Sequence, residues 1–263
     1  MSTTPPSPYD APELYDLALG GFRDDLGFWL EEAQRAALAP GRPARVLEVS
    51  CGTGRVLLHL RAHGIDVDGV DLHAPMLERL EAKARTRGLQ VRTYRADMRD
   101  FTTPQRYHRV FIPFNGFAHC ETVDDQLRCL HCCREHLEPG GAVVVDMSYP
   151  GQAYWLDVRT ERILEIESRD EETGAAVRMW DTRTKDRVGQ TQHSVIEIEE
   201  LDAEGRLTRS HRFETRQRWV YRFELELLFR LAGFARWEVL GGWERRALET
   251  DAGQMLAFAW KAG

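Results

Sequence analysis

The stretch Val46-Leu47-Glu48-Val49-Ser50-Cys51-Gly52-Thr53-Gly54-Arg55 runs an apolar strand into a glycine-containing turn and then into a helix. Gly52 and Gly54 carry no Cβ, so the chain can turn tightly there and a ligand can lie against its backbone. Free N–H groups at the start of the following helix suit a carboxylate. Glu48 sets an acceptor beside that turn. Outward from it, strands are expected at 45–50, 66–71, 90–95, 109–113 and 142–147, with helices at 54–63, 74–87 and 124–137. Such alternation is the sign of a parallel sheet with crossover helices. Glu138-Pro139-Gly140-Gly141 reads as the turn before the fifth strand.

Residues 9–38 read as helical, with a break at Gly20-Gly21 and a stop at Pro40, Gly41 and Pro43. Beyond Pro150 the pattern becomes β-rich, polar and partly alternating over 177–185, 194–201 and 209–221, with Asp202-Ala203-Glu204-Gly205 as a hairpin signal. An inserted antiparallel sheet is expected there. Helical spacing returns at 222–231, stopped by Gly233, and strands at 237–240 and 255–260 complete the first sheet. A late strand can run antiparallel at or near its edge.

The chain has 263 residues, 43% apolar and 29% charged, close to ordinary soluble proteins. Its apolar runs fall well short of the roughly 20 residues a membrane helix needs, so no membrane partner is expected. Met1 to Pro8 is polar and Pro-rich without the marks of a secretory signal, which makes a cytoplasmic location the default. A net charge of −7, and acids interleaved among the arginines from Arg206 to Arg222, argue against a nucleic-acid partner. Cys129, Cys132 and Cys133 lie beside His131 and His136, but the segment has helical apolar spacing and lacks the second paired-ligand knuckle of structural zinc sites. We read reduced thiols on a helix and no metal.

Asp71 ends the second strand, where a carboxylate can accept both hydroxyls of a ribose; dinucleotide enzymes place an acid there too. The third strand ends in Arg95-Ala96-Asp97-Met98, where an acid can accept from the exocyclic amino group of adenine while Met98 packs by the ring. Three acids at three successive strand ends, with the glycine turn, resemble the class I S-adenosylmethionine-dependent methyltransferases. Val70-Asp71-Leu72-His73-Ala74-Pro75-Met76-Leu77 is similar to the family's ribose segment, Arg95 to Met98 to its adenine segment, and Leu137 to Gly141 to its turn before the fifth strand. Ser50 stands where the family often has Gly. The resemblance spans Tyr9 to Lys261. It implies an α/β fold with a Rossmann-like, mostly parallel seven-stranded sheet, flanking helices and an inserted antiparallel sheet after the fifth strand. The chain then divides into a helical lid (1–40), a cofactor-binding core (41–150), the inserted sheet (151–221) and a completion of the core (222–263).

The resemblance further implies S-adenosylmethionine as cofactor and S-adenosylhomocysteine as product. Cofactor contacts are expected from Tyr15, Glu48, Ser50, Cys51, Gly52, Gly54, Asp71, Leu72, Met76, Ala96, Asp97, Met98 and Phe114, with Glu48 near the ammonium. Tyr15, in Glu13-Leu14-Tyr15-Asp16, resembles a lid tyrosine of related enzymes; a core aromatic of an amphipathic helix is the alternative. Phe114-Asn115-Gly116-Phe117-Ala118-His119 resembles the segment after the fourth strand in small-molecule methyltransferases, including glycine and sarcosine N-methyltransferases. Asn115 and His119 are therefore the candidate catalytic residues. They can orient an acceptor, His119 can take its proton, or the two can simply cap a turn and pack under the cofactor. Tyr154, Trp155 and Arg159 follow the fifth strand at the mouth of the sheet, as acceptor contacts or as packing at a domain junction.

The expected reaction moves a methyl group from sulfonium to N or O of a small acceptor by in-line displacement, which asks for alignment and exclusion of water rather than a triad or metal. The inserted sheet would roof the acceptor or pair subunits, in a monomer or homodimer. Two rivals are a nicotinamide dehydrogenase, whose three-glycine pattern the first turn lacks, and a non-catalytic S-adenosylmethionine-binding partner or regulatory protein.

Overall fold

The computed structural model describes residues 6–37, 44–157, 159–170, 174–249 and 253–263. In chain order the elements are α1 (Pro12–Leu19), α2 (Leu26–Ala37), β1 (Arg45–Val49), α3 (Arg55–Ala62), β2 (Asp66–Asp71), α4 (Ala74–Thr86), β3 (Arg92–Arg95), β4 (Tyr107–Ile112), α5 (Val123–Glu135) and β5 (Leu137–Ser148). There follow α6 (Gln152–Leu156), β6 (Arg159–Arg169), β7 (Ala176–Asp186), β8 (Thr191–Leu201), β9 (Leu207–Arg218), α7 (Arg222–Leu231), β10 (Arg236–Gly241), β11 (Arg246–Ala247) and β12 (Gln254–Trp260). Short 3-10 turns occupy Pro8–Asp10 and Gly116–His119.

Strands β1 to β5 have apolar runs that need cover on both faces, and they pair in parallel between helical layers. The sheet order is β11-β10-β12-β5-β4-β1-β2-β3. One core layer joins Leu47 and Val49 to Leu130, Leu225 and Phe229; the opposite one joins Val46 to Trp29, Leu57, Leu80 and Phe258. The seven expected strands are all present, with the two-residue β11 as an eighth. As expected of a late strand, β12 runs antiparallel near the edge of the sheet, between β5 and β10. Glu138 to Gly141 is a bulge within β5: Tyr107 pairs with Leu137 but Arg109 with Ala142.

The break expected at Gly20-Gly21 is present: α1 ends at Leu19 and α2 begins at Leu26, and a Cβ at Gly20 would lie 2.3 Å from the Asp16 carbonyl oxygen. The stop at Pro40, Gly41 and Pro43 falls outside the described residues. The insertion is a four-stranded antiparallel meander, β6-β7-β8-β9. β6 is invisible in the sequence pattern since its register shifts twice along β7, which breaks the period-2 alternation a half-buried strand would show. α1 packs Ala18, Leu14 and Leu17 on the apolar end of this sheet, against Val177, Ile198 and Phe213. No helix among the described residues is long and apolar enough to cross a membrane.

Candidate active site

Parallel pairing brings the carboxyl ends of β1, β2, β3 and β4 to one side of the sheet, where they line a cavity of about 520 Å³. The turn after β1 is made of left-handed residues, Ser50 (φ 61°), Gly52 (φ 52°) and Gly54 (φ 82°). A Cβ at Gly54 would meet Leu80 Cγ at 2.6 Å, so only glycine starts α3 against α4. Gly54 itself does not line the cavity. The Gly52 N–H donates to Asp71 Oδ2 at 2.8 Å and the His73 N–H to Asp71 Oδ1 at 2.9 Å, which fixes the β2 carboxylate under the turn. Each oxygen keeps a further lone pair, and Asp71 lines the cavity.

Glu48 is 3% exposed, and its Oε2 has no hydrogen-bond partner among the described residues. It faces a side recess with Tyr15, Cys51, Arg55 and Phe114. Burial pushes its carboxyl up to about 8 against the opposing Arg55 guanidinium, with Asp25 and Asp71 adding to the rise. A buried acceptor without a donor asks for one, and a ligand ammonium fits. Ala96, Asp97 and Met98 line the other end with Leu72 and Met76, Leu72 exposed and Met76 buried. Asp97 Oδ1 accepts from the Arg99 N–H at 2.8 Å and its Oδ2 from the guanidinium at 2.6 Å, bonds that hold its carboxyl low. An acid with Arg99 and a thioether at the third strand, a ribose-sized acid at the second and an orphaned acceptor at the first fit an adenosyl amino acid.

Residues that sequence reasoning passed over hold α1 and α2 in place. Asp16 accepts from Thr53 Oγ1 at 2.5 Å, Arg79 Nε at 2.9 Å and Lys83 Nζ at 2.9 Å, joining α1 to the glycine turn and α4. Asp25, fully buried, pairs with Arg55 and accepts from Trp29 Nε1 at 3.0 Å. Arg55 lies 5.1 Å from the Phe22 and Phe114 ring centres. Tyr15, half-buried at the cavity wall, has its phenol pushed up to about 12 by desolvation. Asp16 adjoins the quoted lid tyrosine, and Arg55 ends the quoted turn; these positions were the available signals.

At the end of β4, Phe114 (φ 52°) and Asn115 (φ 61°) are left-handed. With Ser50 they make three of the five described non-glycine residues with positive φ. Strain of about 1–3 kcal/mol each collects at this cavity. The Phe114 N–H donates to Asp146 Oδ2 at 3.0 Å. Asn115 Oδ1 accepts from the Ser148 N–H at 2.6 Å and its Nδ2 donates to Ser148 Oγ at 3.3 Å, which ties β4 to β5. His119 Nε2 lies 2.8 Å from the Tyr9 hydroxyl, and the ring makes a second bond to the backbone of Arg216. A ring that donates to that carbonyl accepts from Tyr9 with its other nitrogen. Desolvation, helped by His73, pushes His119 down to about 4, so it is neutral at neutral pH. Tyr9, in a Pro-rich stretch, gave no sequence signal.

The inserted sheet closes the same cavity. Met179, Asp181 and Arg183 of β7, Gln192, Ser194, Ile196 and Ile198 of β8, and residues Glu214 to Gln217 of β9 line it. Tyr154 and Trp155 do not. Trp155 is 7% exposed in the core, and Tyr154 packs on Trp155 and Trp219 at 4.8 and 5.1 Å while donating to Gln192 Oε1 at 2.8 Å. The packing alternative describes both. Arg159 begins β6, and its side chain lies outside the described residues. The five cysteines are unpaired, and no group of three or more metal-ligating side chains occurs among the described residues.

Residues 46–141 match the family model described as a methyltransferase domain. The cypemycin N-terminal methyltransferase of Streptomyces sp is 27% identical over 255 residues, 95% of this chain and 96% of that one. The dTDP-3-amino-3,6-dideoxy-alpha-D-glucopyranose N,N-dimethyltransferase of Streptomyces fradiae is 35% identical over 137 residues, about half of each chain (51%). Among solved structures, the CcbJ methyltransferase from Streptomyces caelestis superposes with a TM-score of 0.75 at 27% identity, covering 98% of this chain and 99% of that one. Fold, cavity and relatives together define a class I, Rossmann-like S-adenosylmethionine-dependent methyltransferase. The chain is an enzyme that transfers methyl to nitrogen or oxygen, with S-adenosylmethionine as its cofactor, and this sets aside the dehydrogenase and non-catalytic readings.

Proposed function

We propose that this enzyme methylates an amine nitrogen of a small polar acceptor held between the core strand ends and the inserted sheet. The observation that carries the reading is the single cavity lined by both. The relatives named above as N-methyltransferases support nitrogen over oxygen. S-adenosylmethionine, when bound, supplies a methyl group on a positively charged sulfur. Asp71 would hold its ribose, Asp97 and Met98 its adenine, the Gly52 turn its carboxylate and Glu48 its ammonium, with Tyr15, Ser50, Cys51, Leu72, Met76, Ala96 and Phe114 around them and Gly54 supporting the turn.

A neutral amine already carries the lone pair that attacks, and the ammonium it becomes can lose its proton to water. A histidine held near 4 is a weak base for that proton. His119 therefore orients the Tyr9 hydroxyl at the acceptor, and Asn115, engaged at both ends of its amide, holds the β4 turn that shapes the site. Water exclusion falls to the lid and the inserted sheet. In this reading residues 1–40 are the lid, 41–150 the core, 151–221 the roof and 222–263 the core's completion. Five unpaired cysteines suit a cytoplasmic enzyme; a monomer or homodimer working without nucleic acid suffices.

The test uses S-adenosylmethionine labelled with carbon-13 at the methyl group and two acceptors, an alanyl dipeptide and 3-amino-3-deoxyglucose. New N-methyl resonances are expected. Only O-methyl resonances, or no transfer by enzyme that binds the cofactor, would overturn the amine assignment.

A further inference from the structure

The cavity-facing side of the inserted sheet is split by chemistry. Cross-strand pairing puts Met179 beside Ile198, then Asp181 beside Ile196 and Phe213, then Arg183 beside Ser194 and Thr215, in successive rows on one face. α1 covers the apolar end of that face. The polar end is left to the cavity, yet Asp181, Gln192 and Ser194 there are 4%, 6% and 2% exposed. Polar side chains are seldom buried this deeply without a full set of partners.

Asp181 lacks one. Its Oδ2 is held by Arg183 Nε, but its Oδ1 has no hydrogen-bond partner among the described residues. Arg183 also lies 3.1 Å from Glu165 and 3.7 Å from Asp157, which keeps its guanidinium from turning to cover that oxygen. The row neighbours Ile196 and Phe213 have no side-chain donor to offer. On the adjacent strand the Tyr154 hydroxyl donates to Gln192 Oε1 at 2.8 Å and Gln192 Nε2 to Ser194 Oγ at 2.9 Å. That relay uses Ser194 as an acceptor and leaves its hydroxyl proton to be given onward. An acceptor and a donor thus stand as diagonal neighbours on one buried face, and a hydroxyl group can satisfy both at once.

We propose that Asp181 and Ser194 form a specificity subsite that binds a hydroxyl group of the acceptor away from the methylated nitrogen, so that the enzyme selects hydroxyl-bearing amines over apolar ones. The inference rests on the amine reading above and names its substrate class. An apolar amine would leave the Asp181 oxygen buried and unpaired, the kind of mismatch by which polar sites reject ligands lacking the matching group.

The experiment compares kcat/KM for 3-amino-3-deoxyglucose and for cyclohexylamine in wild type, Asp181→Asn and Ser194→Ala. Binding of S-adenosylhomocysteine within about twofold of wild type serves as the check on folding. The wild-type preference for the hydroxylated amine is expected to be at least about tenfold, and each variant should shrink it by about tenfold, the scale of one hydrogen bond to a charged group. Should Asp181→Asn fail to fold, Ser194→Ala decides. Methylation of both amines without preference, or a preference that neither variant moves, overturns the subsite alone. Transfer to neither amine by cofactor-bound enzyme overturns the amine reading and the subsite with it.

Discussion

Strands β2 and β8 face each other across one cavity and are built by different rules. β2 buries five of its six residues, as a strand covered on both faces must, so it can offer a ligand only its carboxyl end at Asp71. β8 alternates over part of its length between buried and half-buried positions, and presents Gln192, Ser194, Ile196 and Ile198 to the cavity from mid-strand. A doubly covered parallel sheet concentrates function at strand ends, in strained turns such as Ser50 and Phe114. A sheet with one face open can spread it along that face. In the proposed reading, the core strand ends would hold the cofactor and the open face of the inserted sheet would contact the acceptor.

The largest effect should come from breaking the core's turn. Gly54→Ala adds a methyl 2.6 Å from Leu80 in a left-handed position, and a loss of about 2–4 kcal/mol of stability is expected by denaturant titration, with weakened cofactor binding. Next is the pH dependence of cofactor affinity. Below about pH 8 the free enzyme holds Glu48 protonated, and pairing with an ammonium requires that proton to leave. Affinity should fall by up to about tenfold per pH unit from 8 to 6, and Glu48→Gln should flatten the slope. The sign is opposite for folding of the cofactor-free chain. The unfolded carboxyl ionises near 4.3, so wild-type stability declines as pH rises towards about 8, and Glu48→Gln removes that decline.

A smaller effect is expected at the junction of the two regions. His119→Ala should lower turnover by about tenfold or less while leaving the shape of the neutral pH–rate profile unchanged, because the ring is already uncharged there. A much larger fall with loss of a titrating limb would restore it as the base. The smallest is in the roof. Gly205, also left-handed but with open space around it, should cost only about 1 kcal/mol on change to Ala. A loss matching that of Gly54→Ala would erase the contrast between the two sheets.

That contrast also governs what was legible in the sequence. The β1 turn and the acids Glu48, Asp71 and Asp97 are local signals at strand ends; in the structure Ser50, Gly52, Asp71 and Asp97 line the cavity and Glu48 the recess beside it. The inserted sheet was legible as three strands and a hairpin, but β6 was hidden by its register shifts. Asp181, Gln192 and Ser194 gave no local signal, because their burial depends on the core standing opposite. Tyr9 was unreadable for the same reason: its partner His119 lies 110 residues away. The aromatics Tyr154 and Trp155 gave the converse, a strong local signal whose neighbours draw it into packing.

The most direct test of the division between core and roof needs no acceptor. It is calorimetric titration of S-adenosylmethionine into wild type, Asp71→Ala and Asp181→Asn under one buffer condition. Affinity should drop by tenfold or more for Asp71→Ala, given about 1.4 kcal/mol per decade, and stay within about twofold of wild type for Asp181→Asn. Equal losses in the two variants, or none in Asp71→Ala, would contradict the assignment of cofactor to the core strand ends and acceptor to the inserted sheet.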